Sequence, residues 1–138
     1  MDYKFFIGID PGQSGGIVMI NGIGEVEYYK KMPEEETDIS YSIKEIRKYS
    51  YAMIEGVHSF PGQGVASSFK FGKGYGFLRG CLNSFAIPFE TISPQKWQKY
   101  IGLDKRGKEE SKTDFKNRLK NKAQELFPDV KMNLSISD

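Results

Sequence analysis

One cysteine and one histidine are all that the 138 residues contain, and this scarcity excludes two common ways of stapling a small protein together. Cys81 has no second cysteine with which to close an intrachain disulfide, and His58 alone cannot complete a Cys/His zinc site with it. A reducing compartment is the simplest expectation: the cytosol, or a nucleus or organelle reached by a route not visible in the sequence. Long hydrophobic runs are missing too. No stretch approaches the roughly 20 apolar residues of a membrane span. At the N-terminus, Asp2 and Lys4 bracket a very short apolar run that reaches Asp10, which does not read as a signal peptide. What remains is an ordinary balance of 38% hydrophobic and 28% charged residues, enough for one domain, residues 1–138, to bury a core of its own.

The net charge is only +2, but it is unevenly spread. From Ser93 to Lys131 there are 11 Lys and Arg against 6 Asp and Glu, whereas residues 1–92 carry 9 against 11. A basic C-terminal third suits a nucleic-acid partner, although basic helical faces are more often simply solvated.

Along the chain, Tyr3–Asp10 is a nearly continuous apolar run, as expected of a strand covered on both faces. Pro11-Gly12-Gln13-Ser14-Gly15 reads as a tight turn, Gly16–Asn21 as a second strand, Asn21-Gly22 as a hairpin signal and Glu25–Lys31 as the returning strand. Three antiparallel strands in succession make a meander. A first helix is expected over Asp38–Lys48, with Ile39, Ile43 and Ile46 on one face, and a short strand over Tyr51–Glu55. A second helix, Val65–Ser84, carries the apolar stripe Phe71, Tyr75, Leu78, Leu82 and Phe85. Gly72, Gly76 and Gly80 line one side of that helix. Each costs about 1 kcal/mol relative to Ala, so a close approach is expected there: packing on the sheet first, a dimer contact or DNA second. Ala86–Ile92 reads as a fifth strand. Ser93-Pro94 opens a short helix with a capping serine and a proline at its first position. After the charged linker Lys105–Glu110, Ser111-Lys112-Thr113-Asp114 resembles a capping box. The helix it opens has Phe115, Leu119, Ala123 and Leu126 on one side, Lys112, Lys116 and Lys120 on another, and Pro128 at its end. This order fits an α/β fold, a mixed sheet flanked by helices.

Two carboxylates end apolar strands: Asp10, at the lip of the glycine-rich turn, and Glu55, beside Gly56. If the two strands are neighbours, both acids emerge at one edge of the sheet. Such a pair of hard oxygen donors is what Mg²⁺ or Mn²⁺ requires. Two such ions about 4 Å apart activate water and stabilise the leaving oxygen in phosphodiester hydrolysis. Either acid alone would more simply solvate a strand end.

Ile7-Gly8-Ile9-Asp10-Pro11-Gly12, followed by Gly15-Gly16-Ile17, resembles the opening of the RuvC-type Holliday junction resolvases, and Met53-Ile54-Glu55-Gly56-Val57 resembles that family's second acidic motif. Phe71-Gly72 through Gly80, Pro88, Ser93-Pro94 and Lys96 extend the resemblance, particularly to smaller phage-type members, over essentially the whole chain. It implies an RNase H-like fold with a three-strand antiparallel meander plus parallel strands. It also implies a homodimer and Mg²⁺- or Mn²⁺-dependent cleavage of branched DNA at four-way junctions, with no small-molecule cofactor and no membrane. The catalytic and metal-binding residues it implies are Asp10, Glu55 and Asp138. Asp138 resembles the second member of the family's C-terminal Asp-x-x-Asp motif, while Ser135 stands where the first acid belongs. The family continues from there into an apolar helix, which this chain is expected to lack. The family places a base-stacking aromatic three positions after the second acid; His58 occupies that position, with Phe60 close by. With Lys73, Lys96, Lys112, Lys116 and Lys120, these two form the candidate DNA-binding set. The alternatives are an inactive RNase H-like DNA-binding protein, or a nuclease acting on flaps or hybrids. An actin- or Hsp70-type ATPase would need a second domain and a second phosphate loop.

Overall fold

In a computed structural model, the structure describes residues 2–56 and 61–131. They form five strands and four helices: β1 (Phe5–Asp10), β2 (Gly16–Asn21), β3 (Val26–Lys31), α1 (Glu36–Glu45), β4 (Ser50–Glu55), α2 (Val65–Ser84), β5 (Phe89–Ile92), α3 (Pro94–Tyr100) and α4 (Lys112–Leu126). The strands make one sheet in the order β3-β2-β1-β4-β5. The meander β1-β2-β3 is antiparallel, and β4 and β5 add to it in parallel. None of the described helices is long and apolar enough to cross a membrane.

Side-chain alternation divides the sheet into two unequal faces. Ile7 and Ile9 of β1, Ile17 of β2, and Ala52 and Ile54 of β4 turn to the face covered by α1 and α2. There they meet Ile39 and Ile43 of α1 and Leu78 and Leu82 of α2, and the core closes with almost no exposure. Cys81 sits in the same layer, and burial pushes its thiol pKa up against the opposing effect of a hydrogen bond with Ser40. The other face is only half covered. Phe6 and Met53, which project from it, are 42% and 41% exposed. The apolar run of β1 therefore does not signify burial on both sides. Above this second face α4 leaves a cleft of roughly 650 Å³, walled by Leu119, Ala123 and Leu126 on the helix and by Gly8, Val18 and Met53 on the sheet.

Several element ends differ from the sequence expectation, each for a local reason. Helix α1 runs over Glu36–Glu45 rather than 38–48. Its chain turns out through Tyr49 (φ 57°), and the Ser50 hydroxyl donates to the Ile46 carbonyl at 2.6 Å, which Ile46 reaches while staying buried. The β2–β3 connection is not the two-residue Asn-Gly turn. The Asn21 side-chain oxygen accepts from the amides of Ile23 (3.1 Å) and Glu25 (2.9 Å), and Gly24, not Gly22, takes the left-handed conformation (φ 88°). Strand β5 starts three residues late because Ala86 (φ 55°) is part of the turn out of α2, while the Pro88 carbonyl accepts from the Ala52 amide at 2.9 Å.

The glycine stripe of α2 is a larger correction. A Cβ built on Gly72, Gly76 or Gly80 meets nothing within 4 Å, and all three are exposed. Gly72 and Gly76 each follow a member of the sheet-facing stripe by one residue, a rotation of about 100°, and Gly80 lies two residues from both Leu78 and Leu82. They cannot pack on the sheet that Leu78 and Leu82 face. A solvated helical glycine spends backbone entropy without return, so Gly76→Ala should stabilise the dilute monomer by about 1 kcal/mol in urea denaturation. Unchanged or lower stability at low protein concentration would show that the glycine face is covered within the monomer.

Candidate functional site

The pairing of β1 with β4 decides where the two strand-end acids go. The strands run parallel with Ile9 opposite Ile54, and Asp10 and Glu55 follow each by one residue. Since Ile9 and Ile54 face the helix layer, alternation turns both acids to the opposite, half-covered face. Both line the cleft beneath α4. Adjacent strands lie about 4.8 Å apart, so the two carboxylates are near neighbours at one edge. The row extends further: Asp10 is opposite Gly16, Gly16 opposite Lys31, and Glu55 opposite Ile92. Lys31 therefore lies two strands from Asp10 with only a glycine between.

The turn after Asp10 is built around its glycines. Gly12 adopts φ 110°, its carbonyl accepts from the Gly15 amide at 3.2 Å, and the Gly15 carbonyl accepts from the Met32 amide at 2.9 Å. A Cβ on Gly15 would collide with the Asp10 carbonyl oxygen and stand 3.2 Å from the Asp10 Cγ. The chain can fold back over Asp10 only because residue 15 has no side chain. A Cβ on Gly12 would stand 3.1 Å from the Phe71 ring, so the same turn is seated on α2.

Glu55 is held from a different direction. Its strand pairs with β5, and directly after β5 the Ser93 hydroxyl accepts from the Lys96 amide at 3.2 Å, capping α3 as the Ser-Pro signal predicts. One turn into α3, the Trp97 indole Nε1 donates to the Glu55 Oε2 at 2.7 Å. Neither Trp97 nor Lys31 stood out in the sequence. Both depend on strand neighbours that periodicity does not reveal.

The donor chemistry suits a hard divalent cation. Mg²⁺ is commonly bound through one or two carboxylates while it keeps several waters, and Asp10 and Glu55 supply that number. Among the described residues no group of three or more acidic, histidine or cysteine side chains could hold an ion. The third implied ligand, Asp138, lies outside the described residues, as do His58 and Phe60.

The lysines are distributed unevenly. Lys112, Lys116 and Lys120 lie one turn apart on α4, the helix whose other side walls the cleft; the first two are exposed and Lys120 is half-buried. Lys96 is exposed on α3, next to Trp97. Lys73 is not brought to this site: it lies on α2, with its Nζ 3.9 Å from Glu36 of α1 and both side chains more than half exposed, a weak pair. From within α4, Arg118 reaches back to the preceding loop: it donates Nε to Glu110 Oε2 (2.7 Å) and a terminal nitrogen to Oε1 (2.8 Å), and also reaches the Asp104 and Lys105 carbonyls at 3.3 Å. The guanidinium holds the Glu110 carboxyl below its ordinary pKa. This clasp fixes a loop that carries Lys105, Arg106 and Lys108.

Comparison with solved structures bears on the fold. The chain is similar to Thermus thermophilus RuvC in complex with a Holliday junction substrate, at 13% identity and a TM-score of 0.63 over 98% of this chain and 90% of that one. It is similar also to a second structure of T. thermophilus RuvC, at 15% identity and a TM-score of 0.59 over 96% and 90%. No protein-family model and no curated protein sequence matches the chain. The protein has the RuvC-like, RNase H-like fold, a mixed five-stranded sheet flanked by helices.

The contact beneath Asp10 leads to a direct test. Gly15→Ala should cost about 1–3 kcal/mol or more in chemical denaturation, because backbone must move to admit the methyl group. Gly22→Ala, with nothing within 4 Å of its Cβ, should cost far less. Equal effects at the two positions would show that the turn is not built on Gly15.

Proposed function

We propose that this protein is a divalent-metal-dependent endonuclease that cuts branched DNA, with four-way junctions as its substrate. The observation that carries the proposal is the placement of Asp10 and Glu55 at the ends of adjacent parallel strands, on one face and in one cleft, within a RuvC-like fold. In this reading Asp10 and Glu55 hold Mg²⁺ or Mn²⁺, and Asp138 contributes a third carboxylate. When bound, the cation supplies the charge stabilisation and water activation that phosphodiester hydrolysis needs. The protein's own part is to place the two carboxylates, Asp10 by a backbone turn that requires glycine at position 15 and Glu55 through the Trp97 indole. Phosphates are held by Lys96, Lys112, Lys116 and Lys120, joined by Lys31 at the end of the Asp10 row, while His58 and Phe60 stack on an unpaired base. Lys73 remains only a peripheral member of the set.

Cutting both paired strands of a junction requires two such sites, which a C2 dimer supplies. The exposed side of α2 suits a second copy. Val65 (88% exposed) and Phe69 (75% exposed) continue into Gly72, Gly76 and Gly80 at helical spacing, so apolar side chains give way to a flat backbone strip. Gly76→Ala, expected to stabilise the monomer, should then weaken dimer association.

The acids provide the decisive experiment. Asp10→Asn and Glu55→Gln should each lower junction cleavage by more than about a hundred-fold, beyond what outer contacts to a metal site carry, while junction binding persists. Cleavage by either variant at near the wild-type rate would overturn the two-carboxylate site. Four-way, flap and linear substrates measured in parallel identify the preferred substrate. Ser135, standing where the related motif has an acid, favours one further reading, a DNA-binding protein without cleavage. Tight junction binding with no cutting at saturating Mg²⁺ would select it.

Phosphate contact by the α4 stripe is tested separately. Each lysine that neutralises a phosphate contributes about 0.9 to the slope of log K against log salt. Replacing Lys112, Lys116 and Lys120 by Ala should flatten that slope by up to about 2.7. An unaltered slope would return the stripe to a solvated surface.

A further inference from the structure

The contact between Trp97 and Glu55 has chemical consequences beyond orienting a helix. Trp97 is the only tryptophan of the chain. It reaches Glu55 across 42 residues of sequence, and its Nε1–Oε2 distance of 2.7 Å is at the short end for a nitrogen donor, as expected where the acceptor is charged. An indole N–H can only donate. It can neither ligate a cation nor accept a proton, so its one available action on Glu55 is to occupy one carboxylate oxygen. A surface glutamate would meet that need with water. Here the indole is instead delivered by a fixed path: β5 pairs with the end of β4 (Glu55 opposite Ile92), Ser93 and Pro94 start α3 at once, and the Trp97 amide donates to the Ser93 carbonyl at 3.2 Å. Trp97 lines the same cleft as Asp10 and Glu55.

We infer that Trp97 is a positioning residue for the metal site: by donating to Oε2 it fixes the orientation of the carboxylate that Glu55 would present to a divalent cation beside Asp10. The inference rests on the proposed role of Glu55 as a metal ligand. A free glutamate must freeze several side-chain torsions when it binds an ion. With the carboxylate already held through Oε2, much of that ordering is complete before the ion arrives. Because the donor is the sole tryptophan, the same hydrogen bond makes its emission a direct reporter of charge arriving at Glu55.

The test uses the full chain and Mg²⁺ alone, without DNA. Titration of the wild-type protein should give a saturable change in tryptophan emission with the same midpoint as calorimetry, and Glu55→Gln should remove both signals. Replacing Trp97 with benzothienylalanine, which keeps the bicyclic shape but has sulfur in place of the N–H, should weaken Mg²⁺ affinity by calorimetry about ten- to hundred-fold, with circular dichroism and denaturation midpoint essentially unchanged. Trp97→Phe should weaken it at least as much. Affinity in the isostere within about twofold of wild type would overturn the positioning role and leave the metal site standing. Absence of saturable Mg²⁺ binding in the wild-type protein would overturn the site itself, and this inference with it.

Discussion

The whole arrangement depends on one pairing, β1 beside β4 in parallel with Ile9 opposite Ile54. That register sends two isoleucines into the helix layer and, one residue on, two carboxylates to the other face. A slip of one residue would bury an acid among Ile43, Leu78 and Leu82 and expose an isoleucine. The hydrophobic demand of the core and the placement of the charged pair are therefore the same constraint. Bringing two carboxylates together costs electrostatic energy, and the apolar contacts of Ile9 and Ile54 on the opposite face offset it.

The two faces of the sheet divide the protein's work. On one side α1 and α2 close over a dense apolar layer that fixes the strands. On the other, α4 stands off from the sheet and leaves a cleft, so the acids are accessible while their backbones are rigid. The elements that hold each acid are separate: a glycine turn for Asp10, and a helix entered from the neighbouring strand for Glu55. The basic residues come from a third source, α4 and the loop clasped by Arg118.

Much of this was legible in the sequence, and the reasons differ by element. Helix α2 announced its full extent, Val65–Ser84, because a strong 4-3-4-3 stripe ran between turn residues. The serine caps of α3 and α4 did so because capping is local chemistry, and both hydroxyls accept the expected amides. Asp10 and Glu55 stood out as a pair, since either alone would simply solvate a strand end, but two acids ending apolar strands, the first at a glycine-rich turn, resemble a known motif pair. What stayed hidden depended on distance in the chain. Asn21 redirected the hairpin through its own side chain, and the exposure of Gly72, Gly76 and Gly80 followed from which side of α2 met the sheet. The indole of Trp97 reached Glu55 only because β5 lies beside β4, and Lys31 entered the Asp10 row only through two strand pairings. Periodicity reports which face is apolar, not what lies opposite it.

Cys81 gives the helix layer a chemical clock. Its thiol is buried in α2 against α1, and burial holds it in the protonated, unreactive form. An alkylating reagent reacts with thiolate, so it meets this side chain only when α1 and α2 part. When reclosing outpaces reaction, the labelling rate is the reagent's rate on an exposed thiol multiplied by the fraction of time the layer is open. The one thiol of the chain thus reads the breathing of the face opposite the carboxylates, and a ligand seated in the cleft would register there only by tightening the sheet that both faces share.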